Sequence, residues 1–149
     1  MLIRRYDPER DYESMTAAWS AHGWTAPPRE ALPRIGLVAR TSQGNEFLAY
    51  LGLYAEGDGG TFGVVDWAIR NPAADADLSD HALRGLFTQI ERIAEAKGIR
   101  FLYSITANDK WGTKLKSMGM VKSEGGVTAY VKQINDNRNQ IDFMVDGGN

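Results

Sequence analysis

The sequence has no cysteine in 149 residues, which excludes disulfides, thiol nucleophiles and thiolate metal sites. Histidine is nearly as scarce. His22 and His81 are too far apart to read as a metal pair, and no carboxylates at ligand spacing surround them, so no metal is expected. No apolar run approaches the ~20 residues that span a bilayer. The opening "MLIRRYDPERD" has no apolar core of the kind a signal peptide needs. No membrane partner is expected. An excess of either charge is also missing: 17 Lys and Arg stand against 19 Asp and Glu, a net charge of −2. That balance gives no electrostatic reason to expect nucleic acid. A reducing, cytoplasmic setting fits these absences.

What is present reads as an ordinary globular chain, 43% hydrophobic and 24% charged, long enough to bury roughly two thirds of its unfolded surface. "LIRRY" fits an opening strand. A helix follows from Asp7, where Asp7 can cap, Pro8 takes the first helical position, and Gly23 ends it. "PPREALPRIG" is broken by proline and holds a short helix or turn. "GLVART", "EFLAYLGLYAE" and "TFGVVDWAIR" read as strands divided by the turns "SQGN" and "EGDGG". The imperfect alternation of the last of these predicts a strand covered on both faces. The clearest helix places Leu83, Leu86, Phe87, Ile90, Ile93 and Ala94 at helical spacing, with Gly98 as its stop. "IRFLYSITA" is the next strand, "NDKWGTKLKSMGM" a short helix, and "VKSE–GG–VTAYVKQI" a closing hairpin. The order is β-α-(short helix)-β-β-β-α-β-α-β. It predicts an α/β domain with a mixed, twisted sheet and helices on both faces.

From Leu2 to Ile134 this order resembles the GNAT superfamily of N-acetyltransferases. "DWAIRNP" is similar to the end of that family's fourth strand. "AEAKGIRFLYSITAND" is similar to its third helix, its fifth strand and the Asn beyond. "NDKWGTKLKSMGM" is similar to its Asn, short helix and glycine ending. Small, phage-type members look closest. The resemblance divides the chain into a GNAT-like domain, 1–134, and a tail, 135–149. It implies transfer of an acetyl group from acetyl-CoA to an amine, and an fourth and fifth strand that lie parallel and part to leave a cleft.

Counting back from Gly98 by the family's usual helix length puts its pyrophosphate loop on Leu78 to Leu83. Ser79, Asp80, His81, Ala82 and Leu83, together with Asn108, are therefore the candidate donor-site residues. Ser79, His81 and Leu83 stand where the family has glycine, so the motif is degenerate. Asp75, Asp77 and Asp80 oppose a diphosphate and suit a helix N-terminus instead, as cap and dipole partners. The candidate base is Asp66, set in an apolar strand that would raise its pKa; the plainer reading is an edge or water-bridged carboxylate. The family's usual Tyr acid falls at Leu115. Trp24 suits either a groove wall or packing, and Lys110, Lys114, Lys116 and Lys122 form a small basic cluster or a solvated face.

Two functions are consistent with this sequence. One is an acetyl-CoA-dependent N-acyltransferase with a degenerate donor site. The other is a non-catalytic structural or assembly component, associated with a virion in a phage setting. The tail carries one apolar patch, "IDFMV", with Ile141, Phe143 and Val145 on one side of any strand it forms. It is expected to dock on a second copy or on a partner protein.

Overall fold

The computed structural model describes residues 1–55 and 60–123. The closing hairpin, the boundary expected at residue 134, and the tail with Ile141, Phe143 and Val145 lie outside the described residues. Two compact units are present, Met1–Ser104 and Ile105–Asn149.

The first unit is built on a five-stranded sheet: β1 (Leu2–Arg5), β2 (Ile35–Arg40), β3 (Phe47–Ala55), β4 (Phe62–Arg70) and β5 (Phe101–Tyr103), side by side in that order. The pairings from β1 to β4 are antiparallel, and β4 with β5 is parallel, so the sheet is mixed. β3 is the central strand and is buried from Phe47 to Leu53. A short 3-10 turn, Arg29–Ala31, leads into β2.

Local signals start and stop the helices. α1 (Pro8–Ala21) is capped by the Asp7 carboxylate, which accepts from the Glu9 amide at 3.0 Å, with Pro8 at the first position. Gly23 follows in the left-handed region at φ 75°. α2 runs Ala76–Ala96, capped by Asp75, whose Oδ1 accepts from the Leu78 amide at 2.8 Å. At its far end Gly98 is left-handed, and the Ile99 amide returns to the Ala94 carbonyl at 2.9 Å. This is the hydrogen-bonded glycine stop.

Two expectations need correction. α2 begins at Ala76, about two turns before Leu83. The polar run expected to form a loop is helical: Ser79 is fully buried and its hydroxyl donates to the Ala76 carbonyl at 3.2 Å, so a polar residue occupies the inward face. β5 is also shorter than the expected "IRFLYSITA" and is limited to Phe101–Tyr103.

The two helices cover opposite faces. Ile3 lies against α2 at Gly85, where a Cβ would stand 3.3 Å from Ile3 Cδ1. The next side chain, Arg4, reaches Asp11 in α1. Consecutive strand residues point to opposite faces, so α1 and α2 sandwich the sheet. Under α1 the core is Met15, Trp19, Val38, Tyr50 and Ile69, with Tyr6, Tyr12, Trp24 and Trp67 packed at its margin. The buried side of α2 comprises Ala82, Leu83, Leu86, Phe87, Ile90 and Ala94.

Gly36 and Gly52 face each other across β2 and β3. The Tyr50 ring lies over both: a Cβ on Gly36 would meet its Cε2 at 2.8 Å, and one on Gly52 would meet its hydroxyl at 2.9 Å and collide with Pro33. Gly52→Ala is therefore expected to destabilise the fold by about 1–3 kcal/mol, seen as a lower denaturation midpoint, because Tyr50 and Pro33 are both held by packing. An unchanged midpoint would show that this contact yields freely.

The second unit contains α3 (Asp109–Ser117). Its cap is Asn108, whose Oδ1 accepts from the Trp111 amide at 3.1 Å. Among the described residues no helix is long and apolar enough to cross a membrane.

Candidate active site

The imperfect alternation of β4 has a structural origin. Gly52 of β3 pairs with Asp66, and Tyr50 pairs with Ile69, so β4 carries one residue more than β3 over that interval. This is a β-bulge. It returns both Asp66 and Ile69 to the α1 face, although three positions separate them. The irregularity is absorbed at Trp67, which is left-handed at φ 58°. A bulky residue pays about 1–3 kcal/mol for that conformation, and such strain gathers at functional sites.

The surrounding contacts hold the strained residue. The Asp66 Oδ1 accepts from the Trp67 amide at 2.7 Å. The Trp67 indole N–H donates to the Tyr54 hydroxyl at 2.6 Å, and that hydroxyl donates to the Ala31 carbonyl. One chain of hydrogen bonds thus ties the bulge to the turn ahead of β2. Burial pushes the Asp66 carboxyl above the ordinary carboxylate range, partly offset by the Trp67 amide. Burial likewise raises Tyr54, against the hydrogen bond from Trp67.

The bulge sits where β4 loses its neighbour. β5 pairs with β4 only at Phe62, Gly63 and Val64, whereas β4 continues to Arg70. From Val65 onward its outer edge has no partner strand among the described residues. A strand edge with no partner among the described residues, beside a half-buried carboxylate, is suited to an extended, amide-bearing chain, with the carboxylate positioned to receive a proton.

Beyond Arg70 the strand turns into α2. The Asn71 side chain donates to the Phe47 carbonyl at 2.9 Å and accepts from the Ala73 amide at 3.0 Å, forming the turn. The Arg70 guanidinium reaches the Ser79 hydroxyl at 3.4 Å. His22 donates from Nε2 to the Arg70 carbonyl at 3.2 Å and stacks on Trp24, centroids 4.6 Å apart.

The candidate donor residues lie on helices and their caps. Ser79, Asp80, His81, Ala82 and Leu83 all lie inside α2, and none is in the connecting loop. The Ser79 amide is bonded to the Asp75 carbonyl at 2.9 Å. Asp80 pairs with Arg84 at 3.1 Å, His81 is exposed, and Ala82 and Leu83 are core. Asn108 caps α3. Asp66 is the one candidate that falls in a chemically loaded position. Sequence reasoning missed Tyr50 and Tyr54 on the neighbouring strand; a tyrosine in a strand carries no signal that separates a site residue from core. Among the described residues no group of three or more His, Asp or Glu is gathered as a metal would require.

No protein-family model and no curated protein matches the sequence. Solved structures do. The fold is similar to an acetyltransferase of Trypanosoma brucei, at a TM-score of 0.66 and 15% identity over 87% of this chain and 99% of that one. It is also similar to an aminoglycoside 6'-N-acetyltransferase of Acinetobacter haemolyticus, at 0.60 and 16% over 91% and 100%. A Mycobacterium tuberculosis protein solved in complex with CoA matches at 0.59 and 12%, over 87% of this chain and 77% of that one. With its mixed sheet sandwiched by α1 and α2 and these acetyltransferase neighbours, the chain has an α/β fold of the GNAT type.

Proposed function

We propose that this chain is an N-acyltransferase that moves an acetyl group from acetyl-CoA to an amine. The observation that carries the reading is Asp66: a half-buried carboxylate with a raised pKa, on a strained bulge, where β4 parts from β5. The edge of β4 beyond Val64, without a partner strand among the described residues, suits the amide-bearing arm of the donor. Asp66 Oδ2 has no hydrogen-bond partner in the described residues, whereas Oδ1 is held by the Trp67 amide. Asp66 takes the proton that the attacking amine must lose as the new amide bond forms and the thioester C–S bond breaks. CoA supplies the activated acyl group; this chain supplies alignment, the base and a wall formed by Tyr54 and Trp67.

The grip on the donor's diphosphate is weak. At the N-terminus of α2 the Leu78 amide is already satisfied by Asp75, and Asp77 lies in the first turn. A carboxylate ~6 Å from a phosphate charge costs about 3 kcal/mol before screening, at an effective dielectric near 20, and salt removes much of it. That observation favours a second reading, a non-catalytic module that keeps the fold for assembly, including within a virion.

Thermal denaturation with acetyl-CoA separates the two. An acyltransferase gains about 2.7 kcal/mol of stability at a ligand concentration 100 times its Kd. Asp77→Asn is expected to tighten acetyl-CoA by about three- to tenfold, which is what removing a screened repulsion gives. No stabilisation of either protein at millimolar acetyl-CoA would leave the non-catalytic module.

A further inference from the structure

A pocket of about 800 Å³ opens within the first unit, where β1 stops, β2 begins and α2 ends. Register brings these ends together. Arg5, the last residue of β1, pairs with Leu37, and Ile35, the first of β2, pairs with Leu53 of β3. Arg34 stands just before β2, and Lys97 is the C-cap of α2. Arg5, Arg34 and Lys97 all line the pocket, together with the buried apolar side chains of Leu32, Leu53 and Ile99. An apolar lining with a few polar groups, at this volume, is the make-up of a small-molecule site.

None of these three cations has a carboxylate partner among the described residues, whereas Arg4, Arg29, Arg40 and Arg84 each do. Glu30 is the sole carboxylate among the described residues lining the pocket, against three cations. Lys97 has a structural reason for its place, since a cation suits the C-terminus of a helix. Arg5 and Arg34, both exposed, have no such reason, and cations gathered on one rim repel.

The donor's diphosphate does not explain the charge. α2 is 21 residues long, about 30 Å, and the pocket lies at its C-terminal end, whereas a diphosphate would meet the helix at its N-terminus. Neither Asp66 nor Trp67 lines the pocket. Tyr54 and Ala31, which close the hydrogen-bond chain from the bulge, form one wall.

We propose that this pocket is a second site, which binds a small organic anion carrying two or more phosphate or carboxylate groups. The guanidinium groups of Arg5 and Arg34 take the anionic groups by paired N–H···O bonds, Lys97 adds a third charge, and Leu32, Leu53 and Ile99 meet the apolar body. The site does not depend on acetyl transfer, so it is tested apart from the reading of Asp66.

The full chain, labelled with nitrogen-15, is titrated by NMR with pyrophosphate and, separately, with citrate at about 0.15 M salt. Saturable shifts of the Arg34, Ile35, Lys97 and Ile99 amides are expected. Arg5→Gln and Arg34→Gln are each expected to weaken binding about five- to tenfold, and the double variant to abolish it. Because both side chains are exposed and unpaired among the described residues, the melting temperature without a probe is expected to stay unchanged. Saturation by pyrophosphate alone would identify a phosphate ligand, and by citrate alone a carboxylate ligand. No saturable binding of either, or equal affinity in the double variant, overturns the proposal and leaves a solvated face. Acetyl-CoA moving the same amides to saturation would also overturn it, by making the pocket part of the donor site.

Discussion

Asp66→Asn is expected to reduce acetyl transfer by 10²–10⁴ in kcat, the usual contribution of a positioned general base. Asparagine keeps an oxygen for the Trp67 amide, so the bulge is retained. What is lost is the proton acceptor. In the parent protein the rate is expected to rise with pH through a midpoint above the ordinary carboxylate range, because burial disfavours the charged form. The same shift has the opposite sign for stability. A carboxyl whose folded pKa lies above its unfolded one binds the extra proton in the native state, so stability falls as pH rises across that interval. Asp66→Asn is therefore expected to be inactive and slightly more stable at neutral pH. Rates with a panel of primary amines, read beside the melting temperature, check both. Full activity in Asp66→Asn would remove the carboxylate from the chemistry.

Asp11→Ala is expected to cost about 3–5 kcal/mol of stability, the range for removing one partner of a buried ion cluster. For a domain of this size that is a drop in Tm of roughly 6–20 °C. Asp11 is completely buried. Arg4 grips both its oxygens, at 2.8 and 2.6 Å, Arg40 reaches Oδ1 at 3.2 Å, and the Asp7 amide donates to Oδ2 at 2.9 Å. The cluster fastens α1 to β1 and β2 and also holds the residue that caps α1. Alanine would leave two arginines facing each other, with side-chain exposures of only 22% and 12%.

Burial alone would raise the Asp11 carboxyl, but the hydrogen bonds from Arg4, the Asp7 amide and Arg40 outweigh it and hold the group below its ordinary value. Its folded pKa thus lies below its unfolded one. The stabilisation is fully present above the unfolded value, about 3.9, and is lost as pH falls through the folded pKa. Acid unfolding of the parent protein is expected to be steeper than that of Asp11→Ala, measured by denaturant midpoints between pH 6 and pH 3. Parallel curves would show that the cluster contributes nothing to acid sensitivity.

Much of the fold was legible in the amino-acid order, because the signals concerned act over a few residues. Asp7 with Pro8 starts α1, Gly23 and Gly98 end helices in left-handed geometry, and Asn108 caps α3, each by a hydrogen bond or a backbone preference within about one turn. The periodicity of Leu83 to Ala94 fixed the inner face of α2, and "EFLAYLGLYAE" was legible as a strand, though its central place in the sheet was not. The sequence also excluded disulfides and a thiol nucleophile from this chain, since it contains no cysteine.

Tertiary structure decided the rest. Ser79 is buried inside a helix: its hydroxyl takes the local Ala76 carbonyl, and the Arg70 guanidinium of β4 is the partner that no local rule anticipates. Asp66 was visible as a carboxylate in an apolar strand, but its pairing with Gly52 and the left-handed Trp67 beside it are products of register. Register is set by which faces of β3 and β4 the whole core buries, and a one-residue slip exchanges every side chain between faces. The candidate base can be read from the chain; the neighbours that raise and orient it exist only once the sheet has closed around them.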